Sequence, residues 1–195
     1  LKSLILPQLV AYKTSERRYL AKRKRFEHRR QKAGAPHLVE FFHDVSDPYS
    51  QLLATVLAEF QARYDVTIKV WHISPPTDAF VPERQKLADY AILDATRLAA
   101  KADIDFQVKK IRSAVFQQST SSENLNADAR LARLGHYLGG TLYYGGEWYW
   151  GLDRLHYLED RLTELGVARQ EGLAPIFLPP AVAETSGGVK RPNKP

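Results

Sequence analysis

Three side chains that could serve acid–base or nucleophilic chemistry lie close together in the chain: Ser46, Asp47 and Ser50. They fall between two apolar runs, residues 38–42 and 52–60, where a strand is predicted to end and a helix to begin. Free backbone N–H groups at such a helix start stabilise negative charge. In many folds such a junction holds the reactive group, and simple helix capping by Asp47 is the open alternative.

The chemistry available to Asp47 is limited by its own charge. Aspartate is a preferred N-cap, and Pro48 suits the first position of a helix. The field of the helix is expected to lower the pKa of Asp47 and to keep it ionised. An ionised carboxylate is a weak nucleophile towards disulfides and would repel a second anion at the same helix terminus. The chain contains no cysteine, so neither thiolate catalysis nor a disulfide is predicted.

The histidines offer a weaker set of candidates. His43 and His72 lie at the ends of two predicted neighbouring strands and could approach each other. Structural histidines are expected there in preference to a catalytic pair. His136 and His156 show no metal-ligand spacing with an acidic partner, so no metal site is predicted.

The reactive turn must be positioned by a strand–helix–strand unit. Residues 37–45, rich in Val and Phe, are predicted as a buried strand, and residues 66–73, rich in β-branched residues, as a second strand. Apolar residues at helical spacing between them predict a helix from Pro48 to Tyr64. Because the connection is a helix, the two strands are predicted to be parallel with a right-handed crossover.

The second half of the chain supplies a helical block, a hairpin and a last helix. A helix is predicted from Pro82 through residue 102, and helical pattern continues to about Leu138 with a polar break at residues 117–124. Residues 141–150 predict a hairpin around a Gly-Gly turn. A leucine-rich helix follows and is capped by Gly166. The predicted class is α/β, with helices inserted between a parallel and an antiparallel half.

The positive charge is concentrated at one end of the chain. Residues 1–37 hold 11 of the 28 basic residues and 2 of the 22 acidic ones, so the remainder is slightly acidic within a total of +6. Residues 1–36 are interpreted as a basic arm with a solvated helix from about residue 15 to Gly34. Aromatic residues are sparse there and no recognised reader motif is present, so nucleic-acid binding through residues 15–32 is only a third, weaker option. The Pro/Gly-rich residues 168–195 are predicted to be a loose tail.

The composition, 44% hydrophobic and 26% charged, is that of an ordinary globular protein. No apolar stretch approaches the roughly 18–20 residues needed to cross a bilayer, so no membrane association is predicted. No signal peptide is recognised, and a cytoplasmic location is expected. A homodimer or a tandem second domain stays open.

Two stretches together carry a resemblance: FFHDVSDPYSQL at residues 41–52 and GGEWYWGLDRLHYLEDRL at residues 145–162. With the helical insertion, they resemble the DsbA-like thioredoxin superfamily, nearest the 2-hydroxychromene-2-carboxylate isomerase and kappa-class glutathione transferase branch. The resemblance implies a thioredoxin-like domain over residues 37–167 with an insertion at about 80–138. It places Asp47 at the usual first cysteine or serine and Ser50 at the second cysteine, with Ser46 one residue upstream, and so implies these three as the catalytic positions.

The resemblance also implies a ligand and its binding positions. These are Pro48, Tyr49, Gly140, Thr141, Trp150 and Asp153. Gly140 stands where the family has a cis-proline, Thr141 would offer backbone groups to an extended peptide, and Asp153 would contact the γ-glutamyl end of glutathione. The implied function is a glutathione-dependent isomerase or transferase that lacks the usual nucleophile, with dithiol oxidoreductase chemistry excluded. The alternative is a catalytically inactive thioredoxin-like module that binds a small molecule or an extended peptide in the cleft.

Overall fold

A mixed four-stranded sheet organises the chain in the computed structural model, which describes residues 16–77, 80–81, 83–109 and 122–179. The helices in these ranges are α1 Glu16–Lys32, α2 Pro48–Arg63, α3 Arg84–Lys101, α4 Ser122–Arg133 and α5 Leu155–Glu164, with a 3-10 turn at Leu152–Arg154 before α5. The strands are β1 Leu38–His43, β2 Thr67–His72, β3 Thr141–Tyr144 and β4 Glu147–Trp150. The chain is therefore a mixed α/β protein.

The strands lie in the order β2-β1-β3-β4. β1 and β2 run parallel, from the pair Leu38 and Thr67 to the pair His43 and His72, so the predicted parallel pairing is confirmed. β3 runs antiparallel to both β1 and β4. The carboxyl end of β1, where the candidate residues follow, therefore lies beside the start of β3.

Helix α2 forms because both its start and its buried face are encoded locally. Asp47 caps its first turn and Pro48 occupies the first position, as predicted. The apolar residues Leu52, Leu53, Val56 and Phe60 fall on one side and are buried. They pack with β1, β3 and α5 into the main core, while Phe42, Ile73, Ala127 and Leu131 form a smaller cluster that includes α4.

The hairpin between β3 and β4 turns at Gly145 and Gly146, whose φ angles are 59° and 85°. Positive φ at both positions is what a two-residue turn of type I′ requires, so the predicted hairpin is confirmed. Helix α5 ends two residues before Gly166, whose φ of 70° confirms the predicted cap.

Helix α1 is docked more firmly than a lightly packed solvated helix. Arg23 Nη2 donates to Glu147 Oε2 over 2.8 Å, and Lys22 Nζ donates to the carbonyl of Gly146 over 2.8 Å. Phe26 packs edge-on against Tyr144 with ring centroids 5.7 Å apart. These contacts therefore fix α1 to the hairpin turn, although 124 residues separate Arg23 from Glu147.

Two expectations about less regular segments need correction. Helix α4 begins at Ser122, inside the stretch predicted as a polar break, while residues 110–121 lie outside the described ranges. Part of the supposedly loose tail is anchored, because Glu159 accepts the N–H of Ile176 over 3.1 Å and Phe177 is buried in the core. Residues 180–195 are outside the described ranges, as are residues 1–15 of the predicted arm.

Across the described ranges, no helix combines the length and the apolar character that spanning a bilayer would demand.

Candidate functional site

Asp47 lies at the start of α2 with both carboxylate oxygens engaged. Oδ1 accepts the N–H of Tyr49 over 3.3 Å, and Oδ2 accepts the N–H of Ser50 over 3.0 Å. Its φ of −86° and ψ of 120° are the extended values expected of an N-cap. The predicted capping role is confirmed. Each oxygen keeps a second lone pair, so capping alone does not prevent the carboxylate from accepting a further proton.

Asp47 is more basic than an exposed aspartate. Burial and the nearby charge of Asp44 raise its pKa from 3.8 to about 6, and these effects outweigh the two backbone hydrogen bonds. The expectation that the helix field would lower the pKa is therefore wrong, because the side chain loses more from desolvation than it gains from the helix terminus. At neutral pH about one Asp47 in ten would be protonated. The group is suited to exchanging a proton near physiological pH.

Ser50 is placed beneath the turn and not at its surface. Its side chain is fully buried, its Oγ accepts the N–H of Asp44 over 3.1 Å and it lies 2.8 Å from His43 Nδ1. A buried hydroxyl with these partners cannot attack a substrate, so the predicted catalytic position is corrected to a structural one. Its hydrogen bonds join the end of β1 to the first turn of α2.

His43 completes this buried group. Its ring centroid lies 5.6 Å from that of His72, as the strand-end positions predicted. Burial and the neighbouring His72 lower the pKa of His43 to about 4, so the ring is neutral at physiological pH. The neutral imidazole of His43 and the buried hydroxyl of Ser50 are hydrogen-bonded to each other, which is the structural role expected for this histidine.

Ser46 carries the exposed hydroxyl of the turn. Its Oγ donates to Asp44 Oδ1 over 2.7 Å, and its N–H donates to the same oxygen over 2.8 Å. These two bonds form a local loop that fixes the chain just before Asp47. Ser46 is accessible, yet its proton is already given to a carboxylate.

Gly140 lies directly against the capping residue, where the resemblance implied a cis-proline. A Cβ at Gly140 would come within 3.2 Å of both Asp47 Oδ2 and the backbone N of Ser50, and its φ is 67°. The peptide bonds of the described residues are all trans. The close approach is one source of the burial that raises the pKa of Asp47.

The strand-edge role predicted for Thr141 is wrong. Thr141 is fully buried, and β3 lies between β1 and β4, opposite Phe42 on one side and Trp150 on the other. An extended peptide needs an open strand edge with free backbone groups. Thr141 has neighbours on both edges and contributes to the core beneath the site.

A cleft of about 400 Å³ opens beside the turn. This charged cleft is lined by Tyr49, Asp94, Arg97, Leu98, Lys101, Trp150, Gly151, Asp153 and Arg154. Of the predicted ligand positions, the structure brings together Tyr49, Trp150 and Asp153 in this cleft, while Pro48 is buried and does not line it. Trp150 is half exposed and its ring stands edge-on to that of Tyr49, with centroids 6.4 Å apart. Trp150 lines this cleft, and its role in ligand binding stays a prediction.

The charges of the cleft are unevenly engaged. Tyr49 Oη donates a hydrogen bond to Asp94 Oδ2 over 2.8 Å. This bond occupies one of the acceptor sites of that carboxylate. Asp153 lies 3.5 Å from Arg154 in a half-exposed pair. Three cationic side chains thus face two carboxylates, and the cleft favours a ligand with a net negative charge.

Sequence reasoning missed the contribution of α3. Asp94, Arg97, Leu98 and Lys101 follow the spacing of one helical face, which is visible in the sequence. Nothing in the sequence, however, indicates which face of α3 would meet the hairpin end. That information exists only in the packing of α3 against α2.

Among residues whose positions the structure gives, no cluster of three or more His, Asp or Glu side chains is arranged to hold a metal ion.

Comparison with known proteins adds no identity: no family model, no curated protein and no solved structure matches this chain.

Proposed function

We propose that this chain is a thioredoxin-like protein of the DsbA-like family that binds glutathione in the charged cleft and uses it in an isomerisation or transfer reaction. The element order supports the family: strand, helix, strand, helical insertion, hairpin and helix. The parallel pair β1–β2 and the antiparallel strands β3 and β4 support the same fold. The absence of cysteine directs the chemistry away from dithiol exchange.

The charge pattern of the cleft carries this proposal. Glutathione has two carboxylates, one ammonium group and a thiol. Arg97, Lys101 and Arg154 are positioned to bind carboxylates, and Asp153 is positioned to accept the ammonium group, the role that the resemblance implies for it. Tyr49 joins this cleft to the turn, because it both lines the cleft and occupies the first turn of α2 behind Asp47.

Asp47 supplies the proton acceptor in this proposal. The thiol proton moves from sulfur to a carboxylate oxygen of Asp47, leaving a thiolate beside a neutral carboxyl group. The turn then holds one negative charge before and after the transfer, so the repulsion between two anions does not arise. A thiol with a pKa of about 8.5 is a weaker acid than Asp47, so the proton rests on sulfur in the bound state and moves to Asp47 as the sulfur attacks the substrate. The neutral carboxyl can donate a hydrogen bond to the thiolate it has formed.

Calorimetric titration of glutathione tests the binding step. The protein should bind with saturation at millimolar concentrations or below, and Arg97→Gln should weaken binding about tenfold, since it removes one charge-assisted hydrogen bond. Lys86→Gln is the matched control: it lies on the same helix, outside the cleft, with a side chain 82% exposed. An unmodified protein that shows no binding at millimolar glutathione would refute the proposal.

The Asp47→Asn variant tests the proton transfer separately. Asparagine is an equally good N-cap but cannot take the thiol proton. We expect the ultraviolet thiolate absorbance of bound glutathione to appear at a higher pH in the wild type than in the variant, because the ionised Asp47 opposes a second anion beside it, while the affinity changes little. S-methylglutathione, which has no thiol proton, should bind both proteins equally.

A second candidate function is a binding module without catalysis. It is favoured by the two capping bonds of Asp47 and by the burial of Ser50, which leave no free nucleophile at the turn. In that case glutathione, or an acidic peptide of similar charge, binds the cleft with its thiol pKa unchanged. The thiolate measurement distinguishes the two functions.

A further inference from the structure

Helix α1 uses its cations differently on its two sides. On the inner side, Arg23 pairs with Glu147 and Arg30 pairs with Glu27 over 2.6 Å and also donates to the carbonyl of Ala35. Tyr19 Oη donates to the same Glu147 over 2.9 Å. These contacts hold the helix against the body of the protein. The charges of Arg23 and Arg30 are therefore already paired within the protein.

The outer side carries a row of cations that we call the basic stripe: Arg17, Lys24, Arg25, Arg29 and Lys32. All five are exposed, and within the part of the chain that the structure describes none of them has an ion-pair partner. At 3.6 residues per turn they fall within an arc of about 140°. Glu16 and Glu27, the acidic residues of α1, lie outside that arc. Arg18 is exposed too but has a contact of its own.

We propose that the basic stripe binds the phosphate backbone of double-stranded nucleic acid. From Arg17 to Lys32 the helix rises about 22 Å, at 1.5 Å per residue. Over that length a duplex presents about 13 phosphate charges. Residues 38–195 carry 17 basic and 20 acidic residues, so the rest of the protein repels a polyanion and directs it to α1. Contacts of this kind bind phosphates without reading sequence.

An anionic membrane surface fits the stripe less well. A helix that lies in a bilayer interface needs an apolar face directed into the acyl chains. In α1 the apolar face is already used by the protein, since Phe26 packs on Tyr144. Tyr19 and Leu20 are partly exposed but lie on the side of the helix opposite the stripe or beyond its edge. The stripe itself contains only long cationic side chains, with no apolar residue between them suited to insertion.

Fluorescence anisotropy with a labelled duplex of about 20 base pairs gives a quantitative test. Five phosphate contacts predict a slope of about −4.5 in log K against log salt, which is about a 500-fold loss of affinity between 50 and 200 mM salt. Replacing all five stripe residues with Gln, a helix former of similar propensity, should abolish binding and flatten the slope. Circular dichroism and thermal melting show whether the variant is folded.

A control variant with the same net charge separates the stripe from general electrostatics. Its substitutions by Gln are at Lys69, Lys86, Lys109, Arg133 and Arg169, which are exposed and lie outside α1. Either set of five lowers the formal net charge of the chain from +6 to about +1. If the stripe is the site, the control keeps most of the affinity and the stripe variant does not.

Three results would overturn the proposal. The first is equal loss of binding in both variants, and the second is duplex binding with no salt dependence. The third is preferential binding to phosphatidylcholine vesicles that contain phosphatidylglycerol, which would assign the stripe to a membrane. An additional variant with Lys at the three Arg positions of the stripe keeps the charge and should bind. Glutathione binding is expected to be unchanged in every stripe variant, so this test and that of the cleft fail or succeed independently.

Discussion

Replacing Asp47 by Asn should change the pH dependence of stability in a defined direction. The pKa of this carboxyl rises from 3.8 in the unfolded chain to about 6 in the folded protein. The folded state therefore holds the proton more tightly. Stability from this group is therefore fully present below about pH 4 and is lost as the pH rises through 6. The loss amounts to about 3 kcal/mol. Asparagine stays neutral and keeps the cap, so the variant should not lose that stability.

Urea unfolding of both proteins between acid and mildly alkaline pH measures the effect. Relative to the wild type, the Asn variant should gain about 2–3 kcal/mol in the free energy of unfolding across the interval from pH 4 to pH 8. Titrating groups remote from Asp47 are present in both proteins, so their contributions cancel in the difference. A difference that stays constant with pH, or a wild type that gains stability over the variant as the pH rises, would refute the burial argument for Asp47.

Three further predictions concern other buried groups and use the same unfolding assay. Arg161→Met should cost about 3–5 kcal/mol, because it removes a buried cation 3.1 Å from Glu147; a loss below 1 kcal/mol would contradict the importance of the pair. Burial raises the pKa of Glu159 to about 7, so the wild type should lose stability from about pH 5 to pH 8 while Glu159→Gln does not; parallel profiles would count against this. Gly140→Ala should cost about 1–2 kcal/mol, because its φ is 67° and the new methyl group meets the start of α2; an unchanged midpoint would show that the backbone can relax.

The local elements were predictable because each is encoded by neighbouring residues. Asp47 and Pro48 mark the start of α2, and the apolar pattern marks its buried side. The Gly145–Gly146 pair determines the hairpin turn, and the short helical crossover requires the parallel pairing of β1 and β2. In these places local preference and tertiary packing agree.

The properties of the site depend on residues far apart in the chain. The burial of Asp47 comes partly from Gly140, which follows it by more than ninety residues, so the direction of its pKa could not be obtained from the helix start alone. The interior position of Thr141 depends on which strands flank β3, and the hairpin motif does not specify this. The docking of α1 likewise depends on Glu147, a single carboxylate in the second strand of the hairpin.

The glycine turn of the hairpin limits which substitutions and insertions the protein can accept there. Hairpin tips normally tolerate substitutions and insertions, because they face water. Here Lys22 approaches Gly146 from one helix, and the guanidinium of Arg161 approaches Gly145 from another. A side chain added at Gly145 would meet the buried guanidinium of Arg161, and both glycines have the positive φ that other residues rarely adopt. The end of this hairpin should therefore be among the positions least open to sequence drift, and tags or grafted loops should be placed elsewhere.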